Sequence, residues 1–96
     1  MSRYVLSAKA QFDLRDIWNY SFDSWGVSQA ERYIGDLRNA IEGIAENPQR
    51  GRPCDEICLG HFKILVGSHV IFYREMGDKI AVVRILHQRR NFRRHL

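Results

Sequence analysis

The stretch HVIFYREMGDKIAVVRILH, residues 69–87, decides the fold because it contains two runs of strand-forming residues around a tight-turn dipeptide. β-Branched and aromatic side chains, which suit a pleated and half-buried surface, dominate both runs. Gly77-Asp78 between them has the composition of a hairpin turn. The pattern predicts two antiparallel strands, from His69 to Met76 and from Lys79 to His87.

The residues before this hairpin predict a third strand. The run from His61 to Val66 is again mostly apolar, and Gly67-Ser68 separates it from the hairpin as a second tight turn. Together the three runs predict an antiparallel meander. Upstream of it, Gly51-Arg52-Pro53 begins a segment that we expect to be a loop lasting to about Leu59.

Two amphipathic helices are predicted between Ser7 and Asn47. Ser7 occupies the N-cap position of the first helix, and Gly26 supplies its stop. The second helix begins at Ser28, because Ser28-Gln29-Ala30-Glu31 matches a capping box, and it ends at Asn47-Pro48. The side chains spaced to form the apolar faces are Leu14, Ile17, Trp18, Phe22 and Trp25 in the first helix, and Ala30, Tyr33, Ile34, Leu37, Ile41, Ile44 and Ala45 in the second.

The predicted elements assemble into an α+β fold. Residues 4–6, Tyr-Val-Leu, indicate a short opening strand that joins an edge of the sheet. The two helices form an αα-hairpin, which buries its apolar faces against the sheet. The expected order is therefore β-αα-βββ, followed by a short basic tail or helical turn. The length of 96 residues predicts a single domain spanning 1–96.

Positive charge is concentrated at the C-terminal end. The formal net charge is +4, yet residues 1–78 carry nine basic and eleven acidic side chains, so that part is mildly acidic. The last thirteen residues, RILHQRRNFRRHL, contain five arginines, two histidines and no carboxylate. We expect their partner to carry negative charge, as phosphate or carboxylate. The alternative is a solvated end that only aids solubility.

Membrane and secretory segments are not predicted. No window approaches the roughly 18 uninterrupted apolar residues of a membrane span. Residues 1–11 lack the continuous apolar core of a signal peptide. We therefore expect a cytoplasmic protein without a membrane partner.

Three possible metal ligands lie in and just after the predicted loop, namely Cys54, Cys58 and His61. Structural zinc needs four ligands, usually in two spaced pairs. The sequence thus predicts no metal site and no cofactor, and it predicts two reduced thiols.

Candidate catalytic groups are few. The sequence has no G-x-S-x-G elbow, no P-loop and no glycine-rich dinucleotide turn. The carboxylate pairs Asp13/Asp16 and Asp55/Glu56 are expected on the solvated surface. His69 and His87 could be general bases in principle, but a histidine satisfied by a backbone partner is the commoner arrangement.

RNA cleavage is the one enzymatic function that the basic C-terminal end supports. Such a site binds phosphate through arginines while a neighbouring group transfers a proton. Arg84 and Arg90 are candidates for the first role, and His87 and His95 for the second.

Several short segments follow one another in a fixed order along nearly the whole chain. They are Ser7-Ala8-Lys9-Ala10, then Asp13-Leu14 with Ile17-Trp18 and Tyr20, Trp25-Gly26, Ala30 with Tyr33, Ile44-Ala45-Glu46-Asn47-Pro48, Gly51-Arg52-Pro53, residues 67–74 and residues 83–88. By their order and spacing the chain resembles the RelE/ParE superfamily of type II toxin–antitoxin toxins, and specifically its ParE branch.

The resemblance implies different activities for the two branches. RelE-like members cleave mRNA in the ribosomal A site, whereas ParE-like members share the fold and poison DNA gyrase. The RNA-cutting members carry an arginine, a second arginine and a tyrosine at positions that fall on Val70, Arg90 and about Leu96 of this sequence. Valine cannot hold a phosphate and leucine cannot transfer a proton, so the resemblance favours a gyrase inhibitor with no catalytic residue.

The ParE resemblance also implies two binding surfaces. A ParD-like antitoxin would cover exposed aromatic side chains of the first helix, for which Phe12, Tyr20 and Phe22 are candidates. DNA gyrase, with DNA possible through the gyrase complex, would meet the basic end while Phe92 and Leu96 fold back on the core. The candidate gyrase contacts are Arg84, His87, Arg89, Arg90, Arg93 and Arg94. A RelE-type ribosome-dependent endonuclease and a non-toxic nucleic-acid-binding module are the alternatives.

Overall fold

A five-stranded sheet and two long helices form the body of the protein, as a computed structural model describes it for residues 3–96. The elements in chain order are β1 (Tyr4–Leu6), α1 (Ala8–Trp25), α2 (Val27–Glu46), a 3₁₀ turn (Pro48–Arg50), β2 (Arg52–Pro53), β3 (Phe62–Val66), β4 (His69–Met76), β5 (Lys79–His87) and α3 (Phe92–His95). The sheet order is β1-β5-β4-β3-β2. The predicted α+β class is confirmed.

The predicted meander is confirmed in β3, β4 and β5, which pair antiparallel. β1 joins the edge of the sheet as expected and runs parallel to β5, with Tyr4 opposite Ile80 and Leu6 opposite Val82. β2 was not predicted and pairs with the start of β3, with Arg52 opposite Lys63. Its two residues include a proline, so its composition indicates a loop and only its place at the sheet edge makes it a strand.

Helix α1 is capped as predicted but turns a different face inward. The Ser7 hydroxyl accepts a hydrogen bond from the Ala10 amide at 2.9 Å, and the helix ends at Gly26. Apolar spacing had placed Phe22 and Trp25 on the buried face, which is wrong because both are exposed. Small and polar residues take up much of the contact surface instead, and the buried positions are Ala10, Asp13, Ile17 and Ser21.

Helix α2 follows α1 after a single residue. Gly26, with φ of 92°, adopts a conformation that other residues rarely reach, and it serves both as the C-cap of α1 and as the N-cap of α2. The predicted capping box at Ser28 is therefore wrong, because Ser28 already lies in the first turn of the helix. The predicted end at Asn47-Pro48 is confirmed, since α2 stops at Glu46.

The sheet has an apolar cluster on each face. Alternate residues of β4 point to opposite sides, so Ile71 and Tyr73 pack under the helices while Val70 and Phe72 face the other way. The second cluster also contains Cys54 and Leu86, and its cover consists of Ile57, Phe92 and Leu96. The Phe72 and Phe92 ring centroids are 4.9 Å apart. This packing confirms that the chain end folds back on the core.

Within residues 3–96, no helix has the length and apolar character needed to span a membrane.

Candidate protein-binding site

An ion pair between α1 and β5 lies beside the basic end of the chain. Arg84 Nε donates to Asp13 Oδ2 at 2.8 Å, and Arg84 Nη2 donates to Asp13 Oδ1 at 2.9 Å. Only 14% of the Arg84 side chain and 9% of the Asp13 side chain are exposed. The hydrogen bonds that Arg84 donates to Asp13 raise the pKa of Arg84 above its ordinary value, so the guanidinium stays charged. Asp13 was expected on the solvated surface, and this expectation is wrong.

Asp13 is buried because it completes the edge of the sheet. β1 ends at Leu6 opposite Val82, and the Ser7 hydroxyl then donates to the Val83 carbonyl at 2.7 Å. Further along β5, the amide of Ile85 donates to Asp13 Oδ2 at 2.9 Å. A buried backbone N–H without an acceptor would lower stability. The Asp13 carboxylate therefore takes the place of the acceptor that a neighbouring strand would supply to Ile85.

Among the remaining candidate gyrase contacts, the four arginines are more accessible than Arg84. The arginines at positions 89, 90, 93 and 94 are all exposed, and His87 is half-buried. Arg90 Nη2 lies 3.2 Å from His95 Nε2. Burial and the charges of Arg90, Arg84 and Arg94, in that order, lower the pKa of His95, which favours the neutral ring that can accept from Arg90. We call residues 88–96 the C-terminal segment.

His69 is held by a side chain instead of the expected backbone partner. Its Nδ1 lies 2.6 Å from the Tyr33 hydroxyl. That hydroxyl also lies 3.3 Å from the Val66 carbonyl and accepts from the Ser68 amide at 3.1 Å. Tyr33 thereby fixes the β3–β4 turn against α2. Gly67 in this turn has φ of 57°, and a Cβ there would lie 2.7 Å from the Tyr33 ring.

Burial of His69 makes folding stability depend on pH. Burial first, and the neighbouring His87 second, lower the pKa of His69 from 6.5 to about 4. The unfolded chain therefore binds this proton more readily than the folded chain between those values, and stability falls as the pH is lowered through that window.

We expect His69→Gln to remove part of this pH dependence. Because the ring is only half-buried, the loss due to His69 should be about 1–2 kcal/mol of unfolding free energy between pH 7 and pH 4. Urea unfolding of both proteins at the two pH values measures it. Equal pH dependence in the two proteins would contradict the assignment.

Exposed aromatic side chains mark helix α1. The exposed fractions are 59% for Phe12, 66% for Tyr20, 49% for Phe22 and 62% for Trp25. The three candidates from sequence are thus accessible, and Trp25 is an addition that the sequence had placed on the buried face. Tyr20 and Trp25 are 5.8 Å apart between ring centroids. They border a groove of about 370 Å³ that reaches His87 at the end of β5.

By the resemblance, the catalytic groups of the RNA-cutting members fall on Val70, Arg90 and about Leu96, and two of these three residues are apolar. Val70 is buried and Leu96 packs against the same apolar cluster. Arg90 is exposed beside His95. Within the C-terminal segment, the Arg90 guanidinium beside the neutral His95 imidazole is therefore the arrangement most similar to a phosphate-cleaving pair.

The cysteines do not form a metal centre with their neighbours. Cys54 is buried and Cys58 is half-buried, and both are free thiols. Cys58 Sγ lies 3.9 Å from His61 Nε2. Across residues 3–96, no group of three or more histidine, cysteine or acidic side chains is arranged to hold a metal ion.

Comparison with known proteins identifies the family. A family model described as "ParE toxin of type II toxin-antitoxin system, parDE" matches residues 4–92. The chain therefore belongs to the ParE toxin family, and the resemblance seen in the sequence is confirmed. It is 51% identical over 96 residues to Toxin ParE1 of Mycobacterium tuberculosis, covering 99% of this chain and 98% of that one. It is 46% identical over 96 residues to Toxin ParE1 of Caulobacter vibrioides, covering 100% and 99%.

Solved structures support the same fold at low sequence identity. A chain of the chromosomal ParDE toxin–antitoxin system from Pseudomonas aeruginosa superposes with a TM-score of 0.78 at 18% identity, covering 91% of this chain and 96% of that chain. A chain of the RelBE2 toxin–antitoxin complex from Mycobacterium tuberculosis gives a TM-score of 0.68 at 18% identity, covering 91% and 98%. These two likenesses show the fold that this chain shares with the two solved chains.

Proposed function

We propose that this ParE-family toxin inhibits DNA gyrase by binding it, without catalysing a reaction. The observation that carries the proposal is the C-terminal segment, whose four exposed arginines stand outside while Phe92 and Leu96 anchor it to the sheet. Clustered guanidinium groups bind carboxylates and phosphates strongly, and they steer association with acidic surfaces. Gyrase carrying DNA presents both kinds of anion.

The apolar residues at two of the three positions that RNA cleavage would use support a binding mechanism. Cleavage of RNA requires a phosphate-binding group and a proton-transfer group at fixed positions around the reacting bond. Val70 and Leu96 supply neither and lie in an apolar cluster. The Arg90–His95 pair could still bind phosphate and move a proton, so a RelE-type endonuclease is the competing function that a direct assay must exclude.

The proposed gyrase contacts are the basic-end side chains that do not turn inward. His87, Arg89, Arg90, Arg93 and Arg94 belong to this set. Arg84 is the exception among the residues that the sequence suggested, because its guanidinium is turned toward Asp13. Arg84 is therefore left out of the proposed contact surface.

We expect alanine at all four exposed arginines of the C-terminal segment to weaken inhibition of gyrase supercoiling at least about 100-fold, since contacts of this kind are often decisive at interfaces. The matched control replaces four exposed arginines of the body, Arg15, Arg32, Arg38 and Arg74, and removes the same charge. Equal inhibition by the wild type and the C-terminal variant would contradict the proposal. Equal losses in both variants would show that only net charge matters.

A ParD-like antitoxin is the second partner that we propose, and both encounters would take place in the cytoplasm. The structural relatives come from toxin–antitoxin systems. The exposed aromatics of α1 offer apolar area of the kind that an amphipathic segment covers.

Alanine at Phe12, Tyr20 and Phe22 together should weaken antitoxin binding about 10- to 100-fold, as measured by calorimetry. Folding should be little affected, because all three side chains are exposed. An unchanged affinity would remove this surface from the proposal.

A further inference from the structure

Arg84 binds two other parts of the structure through three different nitrogen atoms. Nε and Nη2 bind the two carboxylate oxygens of Asp13 on α1, while the residue itself belongs to β5. The third nitrogen, Nη1, donates to the main-chain carbonyl of His95 at 3.3 Å. Arg84 thus links α1, β5 and the C-terminal segment.

The C-terminal segment depends on such links for a defined conformation. Helix α3 has only four residues, which is far below the length at which an isolated helix is stable in water. Among the described residues, no side chain caps its N-terminus. Phe92 and Leu96 attach one side of α3 to the sheet through apolar contact. The hydrogen bond from Arg84 adds a directional constraint on a carbonyl that the short helix leaves without a helical partner.

We propose that Asp13 and Arg84 are positioning residues for the C-terminal segment. Asp13 holds the guanidinium in one orientation, the guanidinium holds the His95 carbonyl, and this sets the direction in which Arg93 and Arg94 project. The functional half of the inference rests on the proposed binding to gyrase. Arg84 then influences gyrase binding without touching gyrase. This accounts for an arginine that the sequence groups with the candidate gyrase contacts but whose guanidinium the fold turns inward.

The geometry requires arginine. A lysine ammonium can bind the Asp13 carboxylate and keep the charge, but its single nitrogen would have to lie within reach of both carboxylate oxygens and the His95 carbonyl. The planar guanidinium instead places a separate nitrogen at each of these acceptors. Arg84→Lys therefore preserves the buried charge pair and releases the C-terminal segment. Arg38→Lys, at an exposed position of α2, is the matched control.

The test combines a structural and a functional measurement on the full chain. Trypsin cleavage after Arg93, followed by mass spectrometry, reports how often α3 opens, and we expect about a tenfold faster rate in Arg84→Lys than in the wild type or in Arg38→Lys. Inhibition of gyrase supercoiling should weaken about tenfold in Arg84→Lys alone. Antitoxin affinity should stay within about twofold, which excludes general loss of structure. If Arg84→Lys does not fold, Asp13→Glu displaces the guanidinium and should give the same pattern.

The possible outcomes separate this inference from the proposed function. An unchanged cleavage rate in Arg84→Lys, or in Asp13→Glu where that variant replaces it, overturns positioning, whatever the effect on gyrase. Faster cleavage with full gyrase inhibition overturns the functional half. If the wild type itself does not inhibit gyrase, the proposed function fails, and faster cleavage of the variant still supports positioning by Arg84.

Discussion

Replacing Asp13 with alanine is expected to lower the free energy of unfolding by about 3–5 kcal/mol, the cost typical of removing one partner of a buried ion pair. The variant leaves the Arg84 guanidinium charged, largely buried and without its carboxylate. It also leaves the amide of Ile85 without its acceptor, which adds the desolvation cost of a lost buried hydrogen bond. Urea unfolding at pH 7 measures the difference.

Asp16→Ala is the matched control, because Asp16 is a carboxylate of the same helix that lies on its exposed side. Exposed charges contribute little to stability, so this change should alter the free energy of unfolding by less than about 0.5 kcal/mol. A loss below about 1 kcal/mol for Asp13→Ala, or equal effects in the two variants, would contradict the structural role assigned to this carboxylate.

Replacing Phe72 with alanine is expected to cost about 3–5 kcal/mol, because Phe72 is fully buried and its removal leaves a cavity under the C-terminal segment. The Phe92 ring that packs on it would lose its main aromatic contact. Urea unfolding measures the stability. Loss of the Phe72–Phe92 contact should also speed trypsin cleavage after Arg93.

Phe12→Ala provides the comparison, since it deletes the same side chain from an exposed position. We expect it to change the free energy of unfolding by less than about 0.5 kcal/mol. If Phe72→Ala unfolded as late in urea as Phe12→Ala, the second apolar cluster would not be supporting the sheet as described.

The sheet was the most predictable part of the fold. β4 and β5 have the predicted limits, and β3 begins one residue later than predicted. Glycine-containing turns and apolar runs are local features of the sequence, so these strands can be predicted from the sequence alone. The two-residue β2 was missed because pairing across the sheet edge defines it and its own composition does not.

The inward face of α1 was the least predictable part. Apolar periodicity placed Phe22 and Trp25 inside, and it had no means of placing Asp13 there. Asp13 is buried because it binds Ile85, a residue 72 positions away in the sequence. A polar group whose partner lies across the fold leaves no local signal, and for the same reason Arg84 was grouped with the exposed arginines.

The candidate binding surfaces were better predicted than their internal organisation. A run of cations without carboxylates must stay largely in water, so the exposure of Arg89, Arg93 and Arg94 follows from composition alone. The pairing of Arg90 with His95, five residues further along, depends on the helical turn of α3 and is not evident from composition.

We propose that this toxin acts by binding through its cationic C-terminal segment and not by breaking bonds. The most direct measurement places one preparation of purified protein in two assays, gyrase supercoiling of plasmid DNA and integrity of mRNA on translating ribosomes. We predict inhibited supercoiling, reversed by the antitoxin, with intact mRNA. Cleaved mRNA together with normal plasmid supercoiling would contradict the account.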